Sequence, residues 1–235
     1  AEAKVVLRVG PGLDDWLESL LANSRAQTLT CLDLTPPIMA TAHEHHQDEG
    51  HAHHEGDAHA RGEQVADPHV WLDPIRMRDD LAPAIAAALA AIDPGQQPAV
   101  DVRLKAFQER LTALDAELRG HLGTLANRKY IAAHAAWAYF NARYQLEQVA
   151  VIEPQPGQEP SAQWLKQVVD AARRSGAGAV FGEVQLNQSL GRIIEREAKL
   201  RFGLLDPQGG VPGRDTYEAL LRYNARQFAE VLGHG

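Results

Sequence analysis

From Val100 to Leu125 the apolar residues step by four and three without a break: Val100, Leu104, Phe107, Leu111, Leu114, Leu118, Leu122 and Leu125. That spacing keeps one face of an α-helix apolar. It predicts one helix of about 26 residues, roughly 40 Å long at 1.5 Å per residue. A small domain needs no helix of that length, whereas a rigid strut between two lobes would use it. An Ala-rich helix is read just ahead of it, over 75–91, and Asp93-Pro94-Gly95 stops it.

Beyond the long helix the pattern changes period. Strands are read at Tyr130–Ala133, Gln148–Ile152, Ala179–Phe181 and Phe202–Leu205. Helices fall between and after them: Ala135–Tyr144, a helix capped by Ser161 and running to about Ser175, Leu190–Leu200, and Thr216–Leu232 with Asp215 as its N-cap. Alternating strands and helices build a parallel sheet with helices on both faces. Ahead of the long helix, Val5–Val9 and Thr28–Leu34 read as strands. Leu13 to about Ala22 reads as a helix with Leu13, Trp16, Leu17, Leu20 and Leu21 on one face. The fold class is therefore α/β, with two lobes of mainly parallel sheet flanked by helices and joined by one long linker helix. An N-terminal lobe is expected over 1–98, the linker helix over 99–128 and a C-terminal lobe over 129–235.

One stretch belongs to neither lobe. Between about residues 40 and 66 no periodicity survives, and a long surface loop is expected. Seven of the chain's eleven histidines fall here: His43, His45, His46, His51, His53, His54 and His59. Glu44, Asp48, Glu49, Glu55 and Asp57 lie among them, and no large apolar residue does. Imidazole is a standard ligand for zinc and its neighbours, and such a run binds divalent ions without a fold. It would bind several metals weakly and select none. Expression tags are terminal and uniform; this run is internal and irregular. A solvated loop without a role is the plainer reading.

The net charge of −8 argues against nucleic acid and anionic membrane surfaces as partners. No apolar run approaches the ~20 residues of a membrane span. Ala1–Val6 lacks the apolar stretch of a signal peptide, so a mature extracytoplasmic form is one expectation. The single cysteine, Cys31, excludes an intrachain disulfide and a cysteine-based zinc finger, and its apolar surroundings suggest a buried, inert thiol.

Ligands of open parallel sheets bind beyond the carboxyl ends of the strands. His134 follows the strand at Tyr130, Asp206 follows Leu205, and Glu183 follows the strand at Phe181. His69 stands where the loop gives way to ordered sequence. His69, His134 and Asp206 together make a plausible zinc shell of two imidazoles and a carboxylate. Each also has an ordinary structural reading: a turn residue, a helix N-terminal residue, a turn cap. Glu183 reads better as an acceptor behind a ligand. The chain has no nucleophile elbow, phosphate loop, dinucleotide fingerprint or His-Glu-x-x-His motif.

Several segments occur in an order that carries a resemblance: Asp67-Pro68-His69-Val70-Trp71-Leu72-Asp73-Pro74, Ala133-His134-Ala135-Ala136-Trp137-Ala138-Tyr139-Phe140, Tyr144-Gln145-Leu146, Glu159-Pro160-Ser161, Val180-Phe181-Gly182-Glu183-Val184-Gln185 and Leu204-Leu205-Asp206-Pro207. With Val5–Leu20 they make the chain resemble the substrate-binding proteins of zinc and manganese ABC transporters. The resemblance implies one metal in a cleft between lobes, with His69, His134 and Asp206 as ligands. It implies Zn2+ capture in the periplasm or at the cell surface and delivery to an ABC permease, by a monomer that is not an enzyme. The histidine run would collect ions or accept them from a metal-donor protein. The family has a further segment ahead of the position matching Ala1, carrying another ligand histidine. Without it the site keeps an open position for water or a loop histidine, and a sheet edge is exposed. The alternatives are a zinc-dependent hydrolase using two His and one Asp, and a manganese-binding or adhesin relative.

Deleting 42–60 should leave folding intact, since closure entropy changes only by about 0.6 kcal/mol per twofold change in loop length. Metal stoichiometry should fall toward one tight ion, and transfer from a chelator donor should slow. Titration and stopped-flow transfer measure these; loss of tight binding would make a loop histidine a direct ligand.

Overall fold

The computed structural model describes residues 3–41, 64–154 and 158–233. The seven clustered histidines lie outside these residues. The ends of the expected loop do not belong to it: β3 (Met39–Thr41) and β4 (Gln64–Ala66) pair antiparallel, Met39 opposite Ala66 and Thr41 opposite Gln64. The histidine-rich segment is thus carried on a two-stranded stem.

The long helix is present as α4 (Gln97–Gly123), 27 residues. Leu111, Leu114, Leu118 and Leu122 are buried on the face that the four-and-three spacing marks. The carboxyl-terminal half of α4 packs on the sheet unit that follows it, and the amino-terminal half packs on α3 (Ala82–Ile92).

That sheet has four strands: β5 (Lys129–Ala132), β6 (Glu147–Val151), β7 (Ala179–Glu183) and β8 (Arg201–Leu205). All pairings are parallel and the order is β6-β5-β7-β8. Side chains alternate across it, as the two-residue repeat requires. Tyr130, Ala132, Ala179 and Phe181 enter one core, with α4, α5 (Ala138–Tyr144) and α8 (Tyr217–Gly233). Ile131 and Val180 enter the other, with α6 (Ala162–Ser175) and α7 (Ser189–Ala198). Both faces are covered, and the central residues of these strands are mostly apolar for that reason, with the charged residues Lys129, Glu147, Glu183 and Arg201 at strand ends.

Phe228 on α8 is the centre of the first core. Its ring lies 4.8 Å from Phe181, 5.1 Å from Tyr130, 5.5 Å from Phe140 and 5.7 Å from Trp137, centroid to centroid.

The amino-terminal unit departs from expectation in three places. The helix expected over 13–22 is only a 3-10 turn at Asp15–Leu17 and one turn, α1 (Glu18–Leu21). Asp14 captures the amides of Val9 and Gly10, and Asp15 that of Gly12, so side chains compete with helix formation. Its apolar face is not buried: Trp16 is 67% exposed and Leu20 65%. The second strand is shorter than read. β2 (Gln27–Thr30) pairs parallel with β1 (Val5–Arg8), then turns into 3-10 helix at Cys31, whose buried thiol is pushed up from its ordinary pKa mainly by desolvation. The helix read over 75–91 begins as α2 (Pro74–Arg76), widens through a π-turn at Met77–Leu81 and continues as α3. Pro83 has no amide to donate backward and its ring crowds the carbonyl four residues earlier, which the wider turn relieves.

Near the carboxyl end, α8 is capped by Thr216, whose Oγ1 accepts from the Ala219 amide, and not by Asp215. Ser161 caps α6 as expected, accepting from the Trp164 amide. Among the described residues no helix is long and apolar enough to cross a membrane.

Phe228→Ala should cost about 3–5 kcal/mol, the usual range for emptying a buried aromatic site. Urea unfolding measures it; a loss under about 1 kcal/mol would show that this ring cluster does not carry the sheet.

Candidate metal centre

The strand order reverses between β5 and β7. The chain leaves β5 for β6 on one side, then crosses to β7 on the other. Such a switch point opens a crevice at the carboxyl ends of the two strands. The register decides what stands there. Ala132 is level with Phe181 and Glu183 with Leu205. His134, two residues beyond Ala132, therefore comes level with Glu183, and Asp206 follows immediately after Leu205.

His69 arrives from the other unit. It precedes the 3-10 turn Val70–Leu72, and Asp73 then caps α2, accepting from the Ile75 and Arg76 amides. Arg143 of α5 binds the same Asp73 carboxylate with two 2.9 Å hydrogen bonds. Trp71 Nε1 donates to the Pro207 carbonyl at 2.8 Å, and the Tyr217 hydroxyl donates to the Trp71 carbonyl at 2.7 Å. Tyr139, fully buried, donates to the Asp67 carbonyl and accepts from the Ile38 amide. These contacts hold the His69 turn against the sheet unit.

The two imidazoles meet there. His69 Nε2 and His134 Nε2 are 3.5 Å apart. Behind each ring stands a carboxylate: Asp67 Oδ1 lies 2.9 Å from His69 Nδ1, and Glu183 Oε2 lies against His134 Nδ1. Asp67 also accepts from the His69 amide. A carboxylate oxygen only accepts, so in the neutral His69 ring Nδ1 carries the hydrogen and Nε2 keeps its lone pair, whereas His134 Nδ1 lies against Glu183 without a hydrogen bond of acceptable angle. Side-chain exposure is 14% and 11% for the rings and 4% and 5% for Asp67 and Glu183. Among the described residues neither carboxylate has a Lys or Arg partner. Each of these buried carboxylates faces an imidazole, an arrangement compatible with a cation.

Asp206 is placed differently. It is fully buried, and its backbone is held by Asn224, which accepts from the Asp206 amide and donates to its carbonyl. Oδ1 accepts from Gln185 and from the Gln208 and Gly209 amides. Oδ2 lies 2.8 Å from Arg214 Nε. Burial pushes this carboxyl up, but the Gly209 amide, Gln185, the Gln208 amide and the Arg214 charge outweigh it, and the net direction is down. Among the described residues no three His, Cys, Asp or Glu side chains form a ready ligand set. The structure thus brings His69, His134 and Glu183 together, with Glu183 behind a ring, and keeps Asp206 beside Arg214. Asp67 has no role in the sequence reading, though it stands two residues before His69; a carboxylate that close to a candidate ligand histidine was the available signal.

The rings face a cleft of about 670 Å³, lined also by Trp71, Gln185, Pro207 and Gln208 and, from the amino-terminal unit, Val9, Gly12 and Leu13.

The family model of the periplasmic component A of the zinc-uptake complex, ZnuA, matches residues 1–231. The chain belongs to the ZnuA family. It is 32% identical over 168 residues to the high-affinity zinc uptake system protein ZnuA of Brucella abortus (strain 2308), an alignment covering 71% of this chain and 50% of that protein. It spans about half the length of such curated relatives. A crystal structure of ZnuA matches with a TM-score of 0.79 at 32% identity, covering 98% of this chain and 80% of that one. A ZnuA deletion mutant with zinc bound matches with a TM-score of 0.76 at 31% identity, covering 98% and 79%.

Because the Asp206 carboxyl is held low, it adds stability that is complete above its ordinary value of about 4 and is lost as pH falls through its own lower value. Asp206→Asn should therefore lower Tm at neutral pH, and the difference should shrink toward about pH 2. Calorimetry across pH measures it; a pH-independent difference would mean that the lost stability is packing alone.

Proposed function

We propose that this chain is the capturing component of a zinc-uptake system: it binds one Zn2+ tightly in the cleft and hands it to an ABC permease. The observation that supports this most directly is the pair of Nε2 atoms, 3.5 Å apart, each on a ring backed by a buried carboxylate. Two nitrogens on a tetrahedral zinc, at 2.0–2.1 Å each, stand about 3.3 Å apart. The separation needs almost no adjustment, and the charges of Asp67 and Glu183 match a divalent ion. His69 and His134 are the nitrogen ligands and Asp206 the candidate oxygen ligand. The lobes are 1–98 and 129–235, with 99–128 as the linking helix. The site of action is the periplasm or the outer cell surface, as the family's description suggests. His43, His45, His46, His51, His53, His54 and His59 supply further weak sites, for collection or for a donor protein.

The hydrolase reading loses its general base. Among the described residues the two carboxylates near the rings, Asp67 and Glu183, each already face an imidazole nitrogen. A base must reach the proton it removes.

His134→Ala should lower zinc affinity by more than about a hundredfold, and Asp67→Asn by about 10–100-fold, the usual cost of losing a partner behind a ligand. Single loop-histidine variants should change it less than about threefold. Competition against a chromophoric chelator measures all three. A His134→Ala protein with parental affinity would sink the site, and turnover of ester or phosphate substrates by the zinc-loaded chain would revive the enzyme.

A further inference from the structure

Of the buried carboxylates, Glu183 lines the cleft and Asp67 and Asp206 stand behind its wall, and Asp206 is treated differently. Asp67 and Glu183 face only imidazoles. Asp206 faces a full cation, Arg214 Nε, 2.8 Å from Oδ2. Both atoms are completely buried, and neither makes a hydrogen bond of acceptable angle. Oδ2 therefore keeps its lone pairs, and what Arg214 supplies is charge. The side chain is held in place: its guanidinium carbon stacks 4.4 Å over the Tyr223 ring, and its side-chain exposure is 20%.

The loop that delivers Arg214 is built for the return. Gly209, Gly210 and Gly213 all have positive φ, at 73°, 79° and 82°. The Gly210 amide donates to the Arg214 carbonyl, and the Arg214 amide donates to Val211. A Cβ on Gly209 would lie 2.7 Å from the Arg214 carbonyl oxygen. Only glycine permits that approach. The loop leaves Asp206, turns and brings a cation back onto it.

We propose that Arg214 sets which metal the site prefers, by weakening Asp206 as a donor. This rests on the reading of the cleft as a zinc site. Zinc binds well to imidazole nitrogen, and His69 and His134 supply that without hindrance. Manganese depends more on hard anionic oxygen. The Asp206 carboxylate, whose Oδ1 holds the cleft-lining Gln185, has in Oδ2 an oxygen with free lone pairs, and a positive charge at 2.8 Å opposes any cation that approaches it. The resulting penalty falls mainly on ions that need the carboxylate.

The test compares Zn2+ and Mn2+ affinities, by chelator competition, in the full chain and in its variants. Arg214→Met keeps the stem over Tyr223 and removes the charge. It should raise Mn2+ affinity by about tenfold or more while Zn2+ changes far less, narrowing the ratio of the two. Arg214→Lys should keep the parental ratio. Adding Asp206→Asn to Arg214→Met should abolish the narrowing, because the effect runs through that carboxylate. A folded Arg214→Met protein with the parental ratio overturns the proposal, as does a narrowing that persists in the double variant. If Arg214→Met does not fold, a crystal structure of the zinc-loaded parent decides: Arg214 still on Asp206 supports the proposal, and Arg214 turned away overturns it. A parent chain that takes up no stoichiometric zinc sinks the underlying site reading as well, and shows this before any Arg214 variant is measured.

Discussion

The parallel register of β5, β7 and β8 is the constraint on which the cleft depends. It puts the ends of three strands at one edge, so His134, Glu183 and Asp206 arrive there without any loop having to reach for them. The register is itself held by burial on both faces. Tyr130 and Phe181 pack on Phe228 below, while Ile131 and Val180 pack on α6 and α7 above. A slip of one residue would exchange the two faces and turn His134 away from Glu183. Geometry at this edge is thus set by aromatic and aliphatic packing in two separate cores.

Charge then decides what the edge can hold. A buried carboxylate without a cation is costly, and proteins normally satisfy it with Arg, Lys or a metal. The chain has Arg and Lys to spare, yet among the described residues none approaches Asp67 or Glu183. Arg143 goes to Asp73, and Arg214 to Asp206. The unbalanced pair is the one behind the imidazoles. That distribution supports the proposed cation site more directly than the presence of histidine does.

Much of this could be read from the residues in order. The period of α4 was legible because eight apolar residues share one phase, and the strands from β5 to β8 because each is short, apolar and bounded by a helical pattern. His69, His134, Asp206 and Glu183 were legible as polar residues at element ends. Three things were not. The 13–22 segment has the spacing of an amphipathic helix, but Asp14 and Asp15 fold back onto preceding amides, a local competition that spacing does not reveal. The π-turn at Met77–Leu81 answers to Pro83, and proline in a helix announces a disturbance without saying which kind. The Arg214–Asp206 contact depends on three glycine dihedrals that return the chain on itself; the sequence shows the glycines and hides the return.

The long helix joins the two units but does not hold them by itself. Trp71 lies two residues beyond His69 and gives its indole hydrogen to Pro207, the neighbour of Asp206, while Tyr217 grips the Trp71 carbonyl from α8. Tyr139 reaches from α5 to the backbone of Asp67 and Ile38 on the other side of the rings. His69 therefore lies between two cross-unit hydrogen-bond groups that hold it beside His134. On the proposed reading, an imidazole pair held near the separation that zinc requires would lose little conformational freedom on binding, so less of the interaction energy would be consumed in ordering the site. The same contacts oppose separation of the units. An acceptor that drew His69 away from His134 would have to break them, and the energy for that step must come from the acceptor's own contacts with the protein, since a partner shifts such an equilibrium only by its differential affinity for the two states.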